Sequence, residues 1–340
     1  MEPIDQVIYI GFNQDSSCIT LSTEKKLESS FDSSFRVIGT HPLKFCYQRI
    51  FPGSFSIVEL LNRSNIIALV GGGACSHYPS SKLIIWDDQK LRIISELNFR
   101  LEIKSVRLRR NRVVVVLETK VYVFNLQDLK VIDMINTFHN PHGICCMSND
   151  EMREVLVCPS DKKGNALIKV YTEDKEIEID AHETPLACAA LNKDGTLLAT
   201  ASDKGTLIRI FDTETGDLLQ ELRRGIDRAE IYSLAFHPTS HWIACSSNTG
   251  TVHIYSIDPE IQNKKLALKF FKKMLPKYFE SEWSFAKFKV KGAKTVCAFA
   301  GDELKLMILT DHAMFYEVDF TEGGHCAGEI AVNLLNLELV

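Results

Sequence analysis

The sequence is short of the patterns that announce a covalent or membrane-bound architecture. Its ten cysteines, at 18, 46, 75, 145, 146, 158, 188, 245, 297 and 326, include no CxxC pair. The one adjacent pair, Cys145-Cys146, is poorly placed to close on itself. The thiols read as reduced, in a cytosolic protein, with several filling core positions. No window approaches the roughly 20 uncharged apolar residues that span a bilayer, and the opening MEPIDQVIYIGF has no basic stretch followed by an apolar run. The expectation is a protein neither exported nor membrane-spanning. Positive charge is not in excess either: 39 Lys and Arg stand against 44 Asp and Glu, for a net charge of -5. That balance lacks the global field of a nucleic-acid binder, so no nucleic-acid partner is expected and any anionic partner must be met by local patches. Long helical periodicity is nearly absent.

What is there is a repeat. With 340 residues and 45% hydrophobic content the chain can bury a real core. Short strands of β-branched and apolar residues recur, each ending in an aromatic: KLIIW to Trp86, KVYVF to Phe124, LIKVY to Tyr171, LIRIF to Phe211, VHIYS around Tyr255 and AMFYEV around Tyr316. These anchors lie 38, 47, 40, 44 and 61 positions apart, and the first four steps match a propeller blade of about 40 to 50 residues. Between them run strand patterns such as RVVVVLE, TLLATAS and HWIACSS, with turns such as NKDG and ETGD. An N-terminal unit from VIYIGFNQDSSCITL to FRVIG completes the count. The spacing predicts an all-β, seven-bladed β-propeller of WD40-like four-stranded blades, a single domain over residues 1–340, with degenerate repeats in which only Trp86-Asp87 spells the WD dipeptide.

Two stretches break the rhythm. EKKLESSFDSS, residues 24–34, reads as a polar loop inserted in the first blade. The segment 258–283 explains the longest step. From Ile261 to Phe279 it carries no acidic residue but six lysines, Lys272 and Lys273 among them, interleaved with Leu268, Phe270, Phe271, Met274 and Leu275. That composition suits a loop or short amphipathic helix lying on an anionic bilayer surface.

The residues with chemistry to offer cluster around ELRRG, residues 221–225. Arg223 and Arg224 are adjacent at the end of a strand pattern, and successive strand residues point to opposite faces, so the pair cannot serve one small pocket. TASDKGTLIRIF precedes them and CSSNTGTVHIY follows. The first supplies Ser202, Thr206 and Arg209; the second supplies Ser247, Thr251 and His253. Hydroxyls donate to phosphate oxygens and guanidinium adds a planar, charge-assisted fork, so two sets of anion donors flank the arginine pair. Other motifs point elsewhere. GGGACSHYPSSK lacks the Gly-Lys-Ser/Thr ending of a phosphate loop and reads as a blade hairpin. VRLRRNRVVVV reads as a solvated hairpin tip, with a second anionic patch as the alternative. His139 and His142 have no third ligand signalled nearby, so no metal site is assigned. No catalytic residue and no cofactor are expected.

These stretches resemble a known family, the PROPPINs, β-propellers that bind phosphoinositides, and within them the WIPI branch of WD-repeat autophagy proteins. The resemblance is carried by FNQDSSC, ELLNRSNIIALVGGG, LIIWDD, KGTLIRIFDT, ELRRG, GTVHIY and SEWSFAKF, and the LRRG box in place of FRRG points to the third and fourth paralogues. It implies two headgroup sites on the rim, in blades 5 and 6, preferring phosphatidylinositol 3-phosphate and 3,5-bisphosphate. Position by position, His182, Ser202, Thr206, Arg209 and Arg223 would form the first, and Arg224, Ser247, Thr251 and His253, with Arg228 as accessory, the second. It further implies that the 258–283 loop enters the membrane and that Asn13 and Asp15 meet a lipid-transfer protein of the autophagy machinery. The partners expected are phosphoinositide-containing membranes and that protein, for a cytoplasmic monomer recruited to preautophagosomal and endosomal or lysosomal membranes. A protein-binding scaffold without lipid affinity is the competing reading. Asp203 stands beside a presumed phosphate ligand, and its orientation bears directly on the first site.

Overall fold

The computed structural model describes residues 5–26, 31–74, 77–258, 282–290 and 292–338. They form seven antiparallel four-stranded sheets, each built from strands consecutive along the chain apart from two short parallel additions. The fold is an all-β, seven-bladed β-propeller, as the repeat predicts. Each aromatic-ended motif is the third strand of its sheet or directly follows it: Lys82–Asp87, Lys120–Asn125, Asn165–Val170, Leu207–Asp212, Thr251–Ser256 and Met314–Asp319. Second strands are the most apolar, since neighbouring layers cover both their faces; Arg112–Val116 and Val155–Pro159 are buried almost throughout. Fourth strands are solvated, as in Arg92–Asn98.

By backbone contacts the chain divides into two compact units, Met1–Gly143 with Leu309–Phe315 and Val332–Val340, and Ile144–Ile308 with Tyr316–Ala331. In the first, one core cluster lies between the first and second sheets, around Phe35, Phe55, Leu69 and Ile84, and another between the second and third, around Leu83, Val113, Val115 and Phe124. In the second unit the clusters lie between the fourth and fifth, fifth and sixth, and sixth and seventh sheets. Cys245 and Cys297 are among the residues packed there, as expected of small apolar fillers.

The first sheet differs from its expected form. The polar stretch 24–34 is not wholly a loop: strands Cys18–Lys26 and Phe31–Thr40 continue into it, with Glu24 opposite Ser33 and Lys25 opposite Asp32 in the ladder. A reason is visible at Glu24. Its buried carboxylate accepts from Ser54 Oγ at 2.8 Å and from the Ala74 amide at 3.0 and 3.1 Å, so a charge in an otherwise strand-poor sequence is fixed by protein donors. GGGACSHYPSSK joins Ile66–Gly71 to Lys82–Asp87, and the arginine-rich tip joins Ser105–Arg109 to Arg112–Val116, both hairpin connections.

Candidate functional site

The fifth and sixth sheets, both within the second unit, are built alike at one end. In the fifth, Ser202-Asp203-Lys204-Gly205 turns strand Leu197–Ser202 into Leu207–Asp212, closed by the Gly205 amide donating to the Ser202 carbonyl at 2.9 Å. In the sixth, Ser247-Asn248-Thr249-Gly250 turns Trp242–Ser247 into Thr251–Ser256, with the Gly250 amide 3.1 Å from the Ser247 carbonyl. The glycines have φ of 61° and 71°. At Gly205 a Cβ would fall 1.8 Å from the Ala229 carbonyl oxygen, so the turn closes only over a bare backbone.

Ladder register decides which side chains meet. Thr200 lies opposite Arg209, Arg209 opposite Glu221, and Leu207 opposite Arg223. Because strand side chains alternate, Ser202, Arg209, Glu221 and Arg223 share one face of the fifth sheet. The other face carries Ala199, Ala201, Ile208, Ile210 and Leu222, packed against Ile231, Ile243, Cys245 and Tyr255 of the sixth. Leu222, which replaces the commoner Phe of the box, is fully buried in that layer. Arg224, one residue past the strand, is only 6% exposed. Its Nε donates to the Gly205 carbonyl at 2.8 Å and a terminal nitrogen donates to the Asp227 carbonyl. Its charge acts on His253, Cys245 and Tyr255 of the sixth sheet. The adjacent guanidiniums thus belong to different surroundings, and Arg224 is held by backbone carbonyls.

Each set contains a buried histidine. His182 Nε2 lies 2.9 Å from Thr200 Oγ1, and Arg209 donates to the carbonyl of the preceding residue, Ala181, at 2.7 Å. Burial, then the charges of Arg209 and Lys204, lower the His182 pKa to about 4. His253 Nδ1 lies 3.2 Å from Ser284 Oγ, and burial, Lys287 and Arg224 bring its pKa to about 3. Both imidazoles are therefore neutral at pH 7, so the positive groups of each set are its Arg and Lys side chains alone. Within the first set Arg209 Nε is 3.1 Å from Glu221 Oε2. In the second, Ser247 Oγ is 2.9 Å from Thr249 Oγ1, and half-buried Thr251 pairs with Lys289 across the ladder. Half-buried Thr206 completes the first set, its carbonyl accepting the Arg224 amide at 2.9 Å.

Arg228 falls elsewhere than its grouping implies. It reaches the first turn, with a terminal nitrogen 2.7 Å from Asp203 Oδ2 and Nε 3.2 Å from the Asp203 carbonyl. Lys287, opposite His253 in the ladder, joins the second set without having been singled out in sequence. Its signal was the KF of SEWSFAKF, but only the register across the 259–281 segment brings it beside His253.

The ends of that segment hold the arginine strand. Tyr255, near the end of the entering strand, donates from its hydroxyl to the Arg223 carbonyl at 3.0 Å. On exit, Glu282–Trp283 pairs in parallel with the strand Leu218–Arg223, Trp283 beside Arg223, and Gln220 Nε2 donates to Glu282 Oε2 at 2.9 Å. Leu268, Phe270, Phe271, Lys272, Lys273, Met274 and Leu275 lie outside the described residues. In the first unit, Asn13 is buried and braces its own turn, with Oδ1 accepting the Cys18 amide at 2.9 Å and Nδ2 donating to the Asn62 carbonyl at 3.2 Å. Asp15 is exposed, and its Oδ1 accepts from Ser17 Oγ at 2.5 Å.

A family model described as PROPPIN matches residues 8–280. The chain belongs to the PROPPIN family. This PROPPIN is 37% identical over 327 residues to Autophagy-related protein 18e of Arabidopsis thaliana, covering 94% of this chain and 85% of that protein. It is 29% identical over 343 residues to Autophagy-related protein 18 of Dictyostelium discoideum, covering 93% and 90%. Among solved structures, Kluyveromyces lactis Hsv2 with its complete loop 6CD superposes with a TM-score of 0.79 at 26% identity, over 97% of this chain and all of that one (100%). KlAtg21, solved in complex with the coiled coil of AgAtg16, shares the fold at a TM-score of 0.76 and 22% identity, over 98% and 99% of the two chains. The protein is accordingly an autophagy-related PROPPIN.

Proposed function

We propose that this PROPPIN is a peripheral membrane effector, a binding module and not an enzyme, that reads phosphatidylinositol 3-phosphate and 3,5-bisphosphate through two sites on its fifth and sixth sheets. One observation carries the reading. The same serine-to-glycine turn occurs twice, and each sheet carries a neutral buried histidine near a guanidinium: Arg209 acts on His182, and Arg224, bonded to the carbonyl of Gly205, acts on His253. Hydroxyls and fixed cations are the donors a phosphomonoester needs, and imidazoles that stay neutral leave that charge constant across physiological pH.

Two headgroup sites on one rigid frame turn the second encounter into an intramolecular event, which raises avidity by about 10²–10⁴ in favourable geometry. The basic and apolar composition of 258–283 adds residence: about 1 kcal/mol per lysine near an anionic leaflet and about 0.8 kcal/mol per buried methylene. The protein then acts from the cytoplasm on preautophagosomal and endosomal or lysosomal membranes. The first-sheet turn containing exposed Asp15 is the surface offered to a lipid-transfer protein of the autophagy machinery.

Flotation with vesicles containing phosphatidylinositol 3-phosphate tests the reading. Arg223→Thr should reduce flotation, and Arg223→Thr with Arg224→Thr should abolish it, with thermal melts run alongside because Arg224 also holds two backbone carbonyls. A folded double variant that floats as the wild type does would sink the proposal in favour of a protein-only scaffold.

A further inference from the structure

The two turns differ at two positions, and one of the differences, Lys204 against Thr249, is offset by the Lys204 ion pair with Glu183 at 3.0 Å. Where the sixth sheet has Asn248 after its serine, the fifth has Asp203. Asn248 Oδ1 accepts the Glu230 amide at 3.2 Å. The Asp203 carboxylate is differently placed. One oxygen meets Arg228 at 2.7 Å, in a pair whose side chains are 39% and 71% exposed. The other, Oδ1, is buried with no hydrogen-bond partner.

A buried carboxylate oxygen without a donor is costly, and the residue before it, Ser202, is a donor of the first set. Closed to solvent, that oxygen does not itself meet a ligand, but the charge it shares with Oδ2 stands beside Ser202 and disfavours a second phosphate there. The exposed ion pair with Arg228 is weak, because both groups stay hydrated and screened, so Arg228 offsets the carboxylate only in part. Asn248 has no charge and imposes no such penalty on the second site.

Building on the lipid-binding reading above, we propose that Asp203 is the specificity-determining residue of the first site, restricting it to monophosphorylated inositol headgroups with free neighbouring hydroxyls, while the Asn248 turn leaves the second site tolerant of a bisphosphate. The two sites are therefore unequal in charge selectivity. Arg228, by partly neutralising Asp203, softens the restriction.

The chain supplies its own control, since Asp203→Asn gives the first turn the residue of the second and Asn248→Asp does the reverse. Flotation is measured on vesicles containing either phosphatidylinositol 3-phosphate or the 3,5-bisphosphate, in a Ser247→Ala/Thr251→Val background to isolate the first site and in Arg223→Thr to isolate the second. Asp203→Asn should raise the bisphosphate-to-monophosphate binding ratio of the first site about three- to tenfold at low salt, less at high salt. Asn248→Asp should lower the ratio of the second by a similar factor. Arg228→Ala should lower the first-site ratio, and should do so less once Asp203 is Asn. A wild type that floats, with a ratio that Asp203→Asn leaves unmoved in protein of unchanged melting temperature, overturns this inference alone. A wild type that floats on neither lipid overturns the lipid-binding reading and this inference with it.

Discussion

The hydroxyl of Tyr255 donates to the backbone carbonyl of Arg223 at 3.0 Å, tying the third strand of the sixth sheet to the last residue of the fifth sheet's fourth strand. The Tyr255 ring is fully buried, so Tyr255→Phe removes one hydrogen bond and little packing. We expect a loss of about 1 kcal/mol in urea unfolding. Binding through the first site should weaken, while binding through the second, measured in Arg223→Thr, should hold.

Of two glycines beside the arginine pair, only one should be sensitive to alanine. Gly205→Ala would force a left-handed backbone and a 1.8 Å approach to the Ala229 carbonyl oxygen, and should destabilise by more than about 2 kcal/mol. Gly225, the last residue of the LRRG box, has nothing within 4 Å of where a Cβ would stand, so Gly225→Ala should melt within a degree or two of wild type. The comparison separates what the fold requires from what the motif merely contains.

The buried histidines set an acid limit. Their folded pKa values, about 4 for His182 and about 3 for His253, lie below the ordinary value of 6.5. The unfolded chain therefore takes up protons first as pH falls. Their contribution is fully present above pH 6.5, declines below it, and is gone once pH has passed through 4 and 3. Denaturant midpoints at pH 7 and 5 should fall accordingly, and His253→Gln should flatten the dependence over that interval.

Glu59 acts with the opposite sign. Burial raises its pKa from 4.5 to about 7, against the lowering effects of Arg107, the Gln14 side chain and the Leu108 backbone. Its protonated form is favoured by folding, so its contribution is full below pH 4.5 and is lost as pH rises through 7. Glu59→Gln keeps an acceptor for Gln14 Nε2, now 3.2 Å from Glu59 Oε1, and removes the buried charge. The variant should gain stability over wild type at pH 8 and lose that advantage at pH 5, by urea midpoints.

The architecture was legible because each repeat buries the same strand. Trp86, Phe124, Phe211, Tyr255 and Tyr316 all fall in third strands, where alternation and a closing aromatic mark the packed layer. The period of two places Arg223 on the face it takes, but Arg224 lies one residue past the strand and is directed by its bonds to the Gly205 and Asp227 carbonyls. What sequence could not supply was contact between distant segments. Lys287 reaches His253 only because the chain returns to the same ladder after residue 258, and Arg228 pairs with Asp203 because the 225–230 connection folds back over the turn. The 24–34 stretch was missed for a different reason: donors from Ser54 and Ala74 let a charged residue occupy a buried strand position.

Glu282 and Trp283 are zipped alongside Leu222 and Arg223, while Tyr255 clasps the same arginine from the other root. The intervening segment is thus anchored at both roots, on the backbone of Arg223 and, at the entering end, also through the Ile257 amide donating to the His241 carbonyl at 2.8 Å. Its length and composition become exchangeable: swapping residues 262–278 for a Gly-Ser linker should leave the seven sheets and the melting temperature intact while abolishing prolonged vesicle dwell.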